Sequence, residues 1–344
     1  MKTAIYILTI LICISCSTKN KLVAPAKFGG KYGFIETKGK WYIKPVFDSV
    51  GIFYNGFVDV YKNGKNGLID SKGKVVIDYK YDFIGNVENE TALILLNDKY
   101  NFINLEGQLI SKIYFEDAED FSEGLAAVKF HKNGKWGFIN KLGKLQIDTL
   151  YNYVSDFKNG SANVELNDSD FFIDIQGKVI KSKNNKVIKK KKFSLIGNSN
   201  NSTLGIVNNI GDTIMKKKYK SFGYIQNGKF WFNENGKYGV ADTTGAIIIK
   251  PEYENLTSFS DNGLALAKKN NKYGFIDKTG KIVIEFKFDD ADNFKYGMAR
   301  AKLNGKWGFI NVKGNFVIQP IFERINHQFR PINARFESMY TYTE

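Results

Sequence analysis

A repeat is the feature that most constrains this chain. The segments GKYGFIETKG at residues 30–39, GKNGLIDSKG at 64–73 and GKWGFINKLG at 134–143 share one pattern. Its closing glycine recurs as Gly39, Gly73, Gly107, Gly143, Gly177, Gly211, Gly245, Gly280 and Gly314. The spacings are 34, 34, 36, 34, 34, 34, 35 and 34, so nine units fill the sequence and leave no room for a separate catalytic domain. A unit this short cannot bury a hydrophobic face alone and must pack on its neighbours. Thirty-two Gly against five Pro, with 28 Phe and 19 Tyr, favour many short strands and turns over long helices.

Each unit reads as three strands. Six residues before the marker stands a second glycine (Gly33, Gly67, Gly137, Gly205, Gly239, Gly274, Gly308), replaced by Asn101 and Phe171 in two units. An apolar pair follows and forms strand a. A polar residue three before the marker, such as Asp70, Asn140 or Asp277, then opens a type I turn with a G1 bulge that the marker glycine closes in the left-handed conformation. Strand b follows, and eight residues past the marker it carries an aromatic in eight of nine units, Phe47 through Phe322, with Asn185 the exception. A longer connection leads to strand c, which meets the next strand a through Asn63-Gly64, Asn133-Gly134, Asn235-Gly236 or Asn304-Gly305, the signature of a type I′ hairpin.

The expected fold is all-β: nine tandem three-stranded antiparallel units of about 34 residues forming an open array, which at about 10 Å per stacked sheet would extend roughly 90 Å. A closed β-propeller is the alternative. It is disfavoured because 34 residues is short for a four-stranded blade and nine blades is an unusual number. Residues 23–28 read as a strand c ahead of unit one and residues 332–336 as another after unit nine, a surplus available as a cap. Apolar pairs such as Ile248-Ile249 and Val283-Ile284 suggest that each sheet is covered on both faces. The glycine inside strand a, where a side chain would normally pack, implies close approach of another segment. The expected partner is an aromatic of the adjacent unit, flanked by Tyr32, Trp136, Tyr238, Tyr273 or Trp307. Interior packing is the simpler reading of that aromatic series; an exposed ladder for stacking on sugars or bases is the functional one.

The motif Gly-Lys-Trp-Gly-Phe-Ile-Asn, read at residues 134–140 and again at 305–311, resembles the bacterial WG, or KWG, repeat family over residues 28–336, with departures at Asp170-Phe171 and Leu204-Gly205. The resemblance implies β-rich repeats in extracytoplasmic or surface proteins. It implies no reaction, no catalytic residues and no cofactor.

The first residues, MKTAIYILTILICISC, place Lys2 before an apolar run too short for a permanent span, as in a cleaved signal peptide covering residues 1–15. The run ends Cys13-Ile14-Ser15-Cys16, which resembles a bacterial lipobox. It marks Cys16 as the lipidation site (palmitate among its acyl chains), followed by a short tether to residue 27; residues 337–344 form a C-terminal tail. Several acyl chains on one residue anchor lastingly where a single chain does not. Ser17 after the cysteine favours the outer membrane under bacterial sorting rules, on either its periplasmic or its surface face.

The formal net charge of +15 raises a polyanion partner, yet 46 of 50 basic residues are Lys, most of them recurring beside turns as a solvated face. The candidate basic patch is Lys189, Lys190, Lys191 and Lys192 with Lys216, Lys217 and Lys218, where the repeat is also most degenerate. Its partner would be an anionic lipid or lipopolysaccharide; nucleic acid is disfavoured by the export signal. His131 and His327 lie in different units without metal-ligand spacing. The acidic clusters Glu116, Asp117, Glu119, Asp120 and Asp289, Asp290, Asp292 read as loop carboxylates and not as a calcium site, because other units lack them. No catalytic residue, metal or cofactor is nominated. The sequence points to a non-enzymatic, membrane-anchored lipoprotein presenting a binding or scaffolding surface to an envelope protein or glycan. An envelope carbohydrate-processing enzyme and polyanion binding through units five and six are the alternatives.

Overall fold

The computed structural model describes residues 21–334, except 168, 181–192, 199–200, 209–212 and 224–227. Among these residues the chain is all-β and forms nine small antiparallel sheets, none closed on itself into a barrel. Unit two serves as the pattern: strand c at Phe57–Lys62, strand a at Lys65–Asp70 and strand b at Val75–Tyr81. A further two-residue strand, Ser49–Val50, lines the outer side of strand c, giving the order d-c-a-b. Strand d begins at Ser49, two residues after strand b of unit one ends at Phe47, so the strand that opens each sheet follows directly on the last strand of the preceding unit.

The turn chemistry explains these elements. Asp70 accepts hydrogen bonds from Lys72 N at 2.8 Å and Lys74 N at 2.9 Å, and Gly73 N donates to Asp70 O at 3.0 Å with φ of 82°. Asn140, Asp174, Asp242, Asp277 and Asn311 repeat the arrangement. Asn63-Gly64, Asn235-Gly236 and Asn304-Gly305 have positive φ at both positions, as a type I′ turn requires. At Asn133-Gly134 it does not form: Gly134 N donates to His131 O instead, and the longer link between Lys129 and Trp136 relieves the chain of the tight turn.

In most described units strand a is buried along three or four successive residues, and strand c along three or four in units one, three, four and eight, so the core lies between neighbouring sheets at these two strands. Strand b is the outer edge. Ile284 is 3% exposed but Val283 is 42%, so the expected cover on both faces holds for strands a and c and fails at b, which has a neighbouring strand on one side only. The glycine within strand a also differs from expectation. A Cβ on Gly274 would meet Ile284 O at 2.7 Å and Phe286 Cδ1 at 3.0 Å, atoms of strand b in the same unit. The ladder shifts register at this glycine, between Tyr273 and Phe275, and strand b crosses close over the gap.

The aromatics link units differently. Phe34, Phe102, Phe138, Phe275 and Phe309 of strand a pack on Phe53, Phe121, Phe157, Phe294 and Phe329 of the connection that follows, with ring centroids 4.4–5.0 Å apart. Cationic side chains of strand c lie over the ring that precedes the glycine, as Lys129 over Trp136 at 4.5 Å and Lys268 over Tyr273 at 5.4 Å. Much of the recurring lysine is also engaged. The motif Lys pairs with the acidic residue just past strand b, Lys31 with Asp48, Lys65 with Asp82 and Lys272 with Asp289. The same carboxylates cap the hairpin turn of the next strand c: Asp48 accepts from Asn63 N at 2.9 Å and Asp289 from Gly305 N at 3.0 Å.

The two ends of the array meet. Strand c of unit one, Leu22–Phe28, pairs with strand a at Lys31–Glu36 on one side and with Arg324–Ile325 and Arg330–Pro331 from beyond unit nine on the other. Residues 22–27, counted with the tether in the sequence division, thus belong to the first sheet. Arg324–Ile325 occupies the place strand d holds in every other complete sheet, and Ala24, Ala26 and Ile35 share a core with Trp307, Phe309 and Ile318. Closure was the alternative arrangement, and these end contacts are the ones it requires. Ile332 fills the first core, and Asn55 N and Gly56 N donate to Ala334 O and Ile332 O; residues 335–336 of the expected cap lie outside the described residues.

Candidate functional site: the connection belt and the seam pocket

The connections between strands d and c bond to one another from unit to unit. Ser122 Oγ donates to Phe157 O at 2.7 Å, Glu123 accepts from Asn159 N and Gly160 N at 2.8 Å each, and Thr257 Oγ1 donates to Asn293 Oδ1 at 2.7 Å. Gln328 Nε2 donates to Asn293 O at 3.1 Å. Along this belt, from Gly51 to Asp292, the residue after strand d faces a residue early in strand c, and among the described residues the pair changes while the backbone bond between them persists, as from Gly51 N to Asp59 O and from Asp292 N to Arg300 O. Gly51 leaves room for the Asp59 carboxylate, Gly223 for the Trp231 indole, Ser155 bonds Asn163, and Asp292 forms an ion pair with Arg300. The framework is repetitive and this row is not.

One arc of the belt is acidic. Burial, together with the charges of Asp156, Glu119 and Glu88, pushes the Asp120 carboxyl up to about 6. Burial also raises Glu119, with Asp156 and Asp117 adding to it, and raises Asp156. Asp120 has a large accessible area, so what crowds it is the number of surrounding protein atoms and like charges and not complete exclusion of water. The acidic group thus divides: Glu116 is a structural partner of Lys99, whereas Glu119 and Asp120 face other carboxylates. Among the described residues no cluster of three or more His, Cys, Asp or Glu is arranged to hold a metal.

The opposite character appears at the seam between units nine and one. A cavity of about 410 Å³ is lined by Arg300, Trp307, Arg324, Ile325, Asn326 and His327. Arg300 is fixed from three sides: Nε donates to Asp292, Nη1 donates to Ile325 O, and the guanidinium sits 5.0 Å from the centroid of the Trp307 ring. Burial, then Arg300 and Arg330, hold the His327 pKa below its ordinary value. Asn326 Oδ1 is buried with no hydrogen-bond partner. The stretch from strand d to the ring of the connection is one residue longer here, four residues lying between Arg324 and Phe329 where three lie between Asp290 and Phe294.

Of the sequence candidates, Cys16 and Lys189 to Lys192 lie outside the described residues, and so does the Lys217 side chain. Lys216 is exposed, and Lys218 bonds Glu234 at 2.8 Å and lies over Tyr219 at 5.0 Å. His131 sits in the link between strands c and a of unit four, far in sequence from the seam that holds His327. The seam pocket was not foreseen. Its available signal was that all four arginines, Arg300, Arg324, Arg330 and Arg335, fall near the C-terminus of a chain otherwise supplied with lysine.

Comparison with known proteins gives the following. No curated protein matches the sequence. Among solved structures, a eukaryotic initiation factor has 11% identity, with 90% of this chain and 98% of that chain covered and a TM-score of 0.46. A protein of unknown function from Bacteroides caccae has 13% identity, coverage of 66% and 92% and a TM-score of 0.24. Streptogramin B lyase has 13% identity, coverage of 74% and 93% and a TM-score of 0.25. The WG containing repeat matches residues 32–65, 67–100, 102–136, 136–168, 238–273, 273–307 and 307–329, sparing the degenerate stretch between 168 and 238. Those matches cover well over half of the sequence, and the chain belongs to the WG containing repeat family.

Proposed function

We propose that this protein is a non-enzymatic, membrane-anchored repeat lipoprotein of the cell envelope that presents the connection belt as a binding surface to a glycan or protein. The observation that carries the reading is the contrast along the belt. The framework positions are set by recurring turns and ring contacts, while among the described residues the facing pair differs from unit to unit, from Asp59 beside Gly51 to Arg300 beside Asp292. A rigid repeat bearing a row of varied chemistry, polar at Asp59, Asn163 and Arg300 and apolar at Leu93, Ala127 and Leu266, suits recognition, because the scaffold holds its polar members in fixed places. Membrane anchorage rests on the lipobox-like end of the signal at Cys16. Crosslinking and capture of the full-length protein from its own envelope is the test: a specific partner lost on substitution of belt residues is the expected result, and turnover of envelope glycans by the purified protein would overturn the non-enzymatic part. For the lysine-rich alternative, the pairing of Lys218 with Glu234 counts against a free cationic patch at that end of it.

A further inference from the structure

We propose that the seam pocket binds the carboxylate of an acidic saccharide, a hexuronate unit, through Arg300 and Arg324, with Asn326 reading one of its hydroxyls. This deepens the reading above and rests on it. The position that Arg300 holds on strand c is occupied by Asp59, Leu93, Ala127, Asn163, Trp231 and Leu266 in other units, so the repeat itself does not require an arginine there. The extra residue between Arg324 and Phe329 is likewise confined to unit nine, and the two departures meet at one cavity.

The geometry suits a planar anion. Arginine has five N–H donors in a fixed fork; in Arg300 two are engaged by Asp292 and Ile325 O, and the Trp307 ring beneath keeps the guanidinium in place. Asp292 neutralises one charge, and Arg324 supplies a second cation on the pocket wall. A carboxylate would therefore meet a pre-organised fork and a net positive wall. Asn326 adds an amide to the same wall, a group that can hydrogen-bond a sugar hydroxyl, which acetate lacks. About 410 Å³ also exceeds the size of a bare carboxylate and falls within the range of small-molecule sites.

The test is calorimetric titration of the full-length protein with methyl glucuronide, methyl glucoside, acetate and inorganic phosphate. Methyl glucuronide is expected to bind at least about tenfold more tightly than each of the others, since a charged hydrogen bond accounts for a factor of that order. Arg324→Gln, a change at an exposed side chain whose effect on folding is checked by melting, is expected to weaken glucuronide binding about tenfold. Asn326→Leu is expected to weaken glucuronide but leave acetate unchanged. Equal binding of glucoside, phosphate binding as tight as glucuronide, or an unaltered affinity in Arg324→Gln would each overturn the assignment. If the protein captures an envelope partner yet ignores glucuronide, only the pocket assignment falls; if it captures nothing, the binding reading falls with it.

Discussion

Gly39 of unit one rests against the side chain of Ile318 of unit nine, where a Cβ would lie 3.3 Å from Ile318 Cγ2, and this repeats the contact that Gly73, Gly177, Gly280 and Gly314 make with the preceding unit. Gly73 meets Ile43, Gly177 meets Ile147 and Gly280 meets Ile249 in the same manner, at 3.4, 3.2 and 3.3 Å. Unit nine therefore stands to unit one as unit one stands to unit two and unit seven to unit eight. Small-angle scattering should give a maximum dimension well below the roughly 90 Å of nine sheets in a row. Ile318→Ala should cost about 2–4 kcal/mol, as other buried Ile truncations do, and should loosen both termini together. A rod-like profile, or a truncation felt by unit nine alone, would contradict a joined seam.

Three glycines should respond to alanine in graded fashion. Gly305→Ala meets no atom within 4 Å and should cost about 1 kcal/mol, from its positive φ. Gly314→Ala adds a 2.7 Å approach to Ile284 Cγ2 and should cost more. Gly274→Ala pushes against the Ile284 carbonyl at 2.7 Å, and because backbone yields less readily than a side chain it should cost about 3 kcal/mol or disrupt the unit. Chemical denaturation of the three variants ranks them, and a reversed order would show that the crossing of strand b over Gly274 is not tight.

Acid should act on the protein in two opposed ways. The Lys31, Lys65 and Lys272 partners hold Asp48, Asp82 and Asp289 below the usual carboxylate range. A folded pKa depressed in this way contributes stability above the unfolded value and loses it as pH falls through the folded one. Asp120 has the reverse sign. Its folded pKa of about 6 exceeds the unfolded value, so the folded state binds the proton more tightly, and stability declines as pH rises from about 4 to 6. Asp120→Asn should therefore stabilise the protein at pH 7, by roughly 1 kcal/mol after allowing for solvent screening, and the gain should vanish below about pH 4. Melting the variant across that range checks the sign; a constant difference would rule out the titration.

Lipid attachment is tested at the other end of the chain. Cys16→Ala should abolish acyl labelling and move the protein from the membrane to the soluble fraction. Undiminished labelling would place the anchor elsewhere.

Local rules written into the amino acids determined a good deal by themselves. The spacing of Gly39 through Gly314 set nine units, the Asx residues three positions earlier set the hairpins, and three of the four Asn-Gly pairs set the turns between strands c and a, because these are contacts within a few residues of chain. Where such rules had to reach across the molecule they stopped short. The partner of Gly274 proved to be strand b of its own unit and not a neighbour's ring, since the register shift that brings strand b over it belongs to the pairing of two strands. The meeting of Gly39 with Ile318, and with it the cavity that gathers Arg300, Arg324 and Asn326, depends on the small rotation between successive sheets accumulating over the array. No single unit encodes that sum, so only the tertiary structure decided where the last unit would arrive.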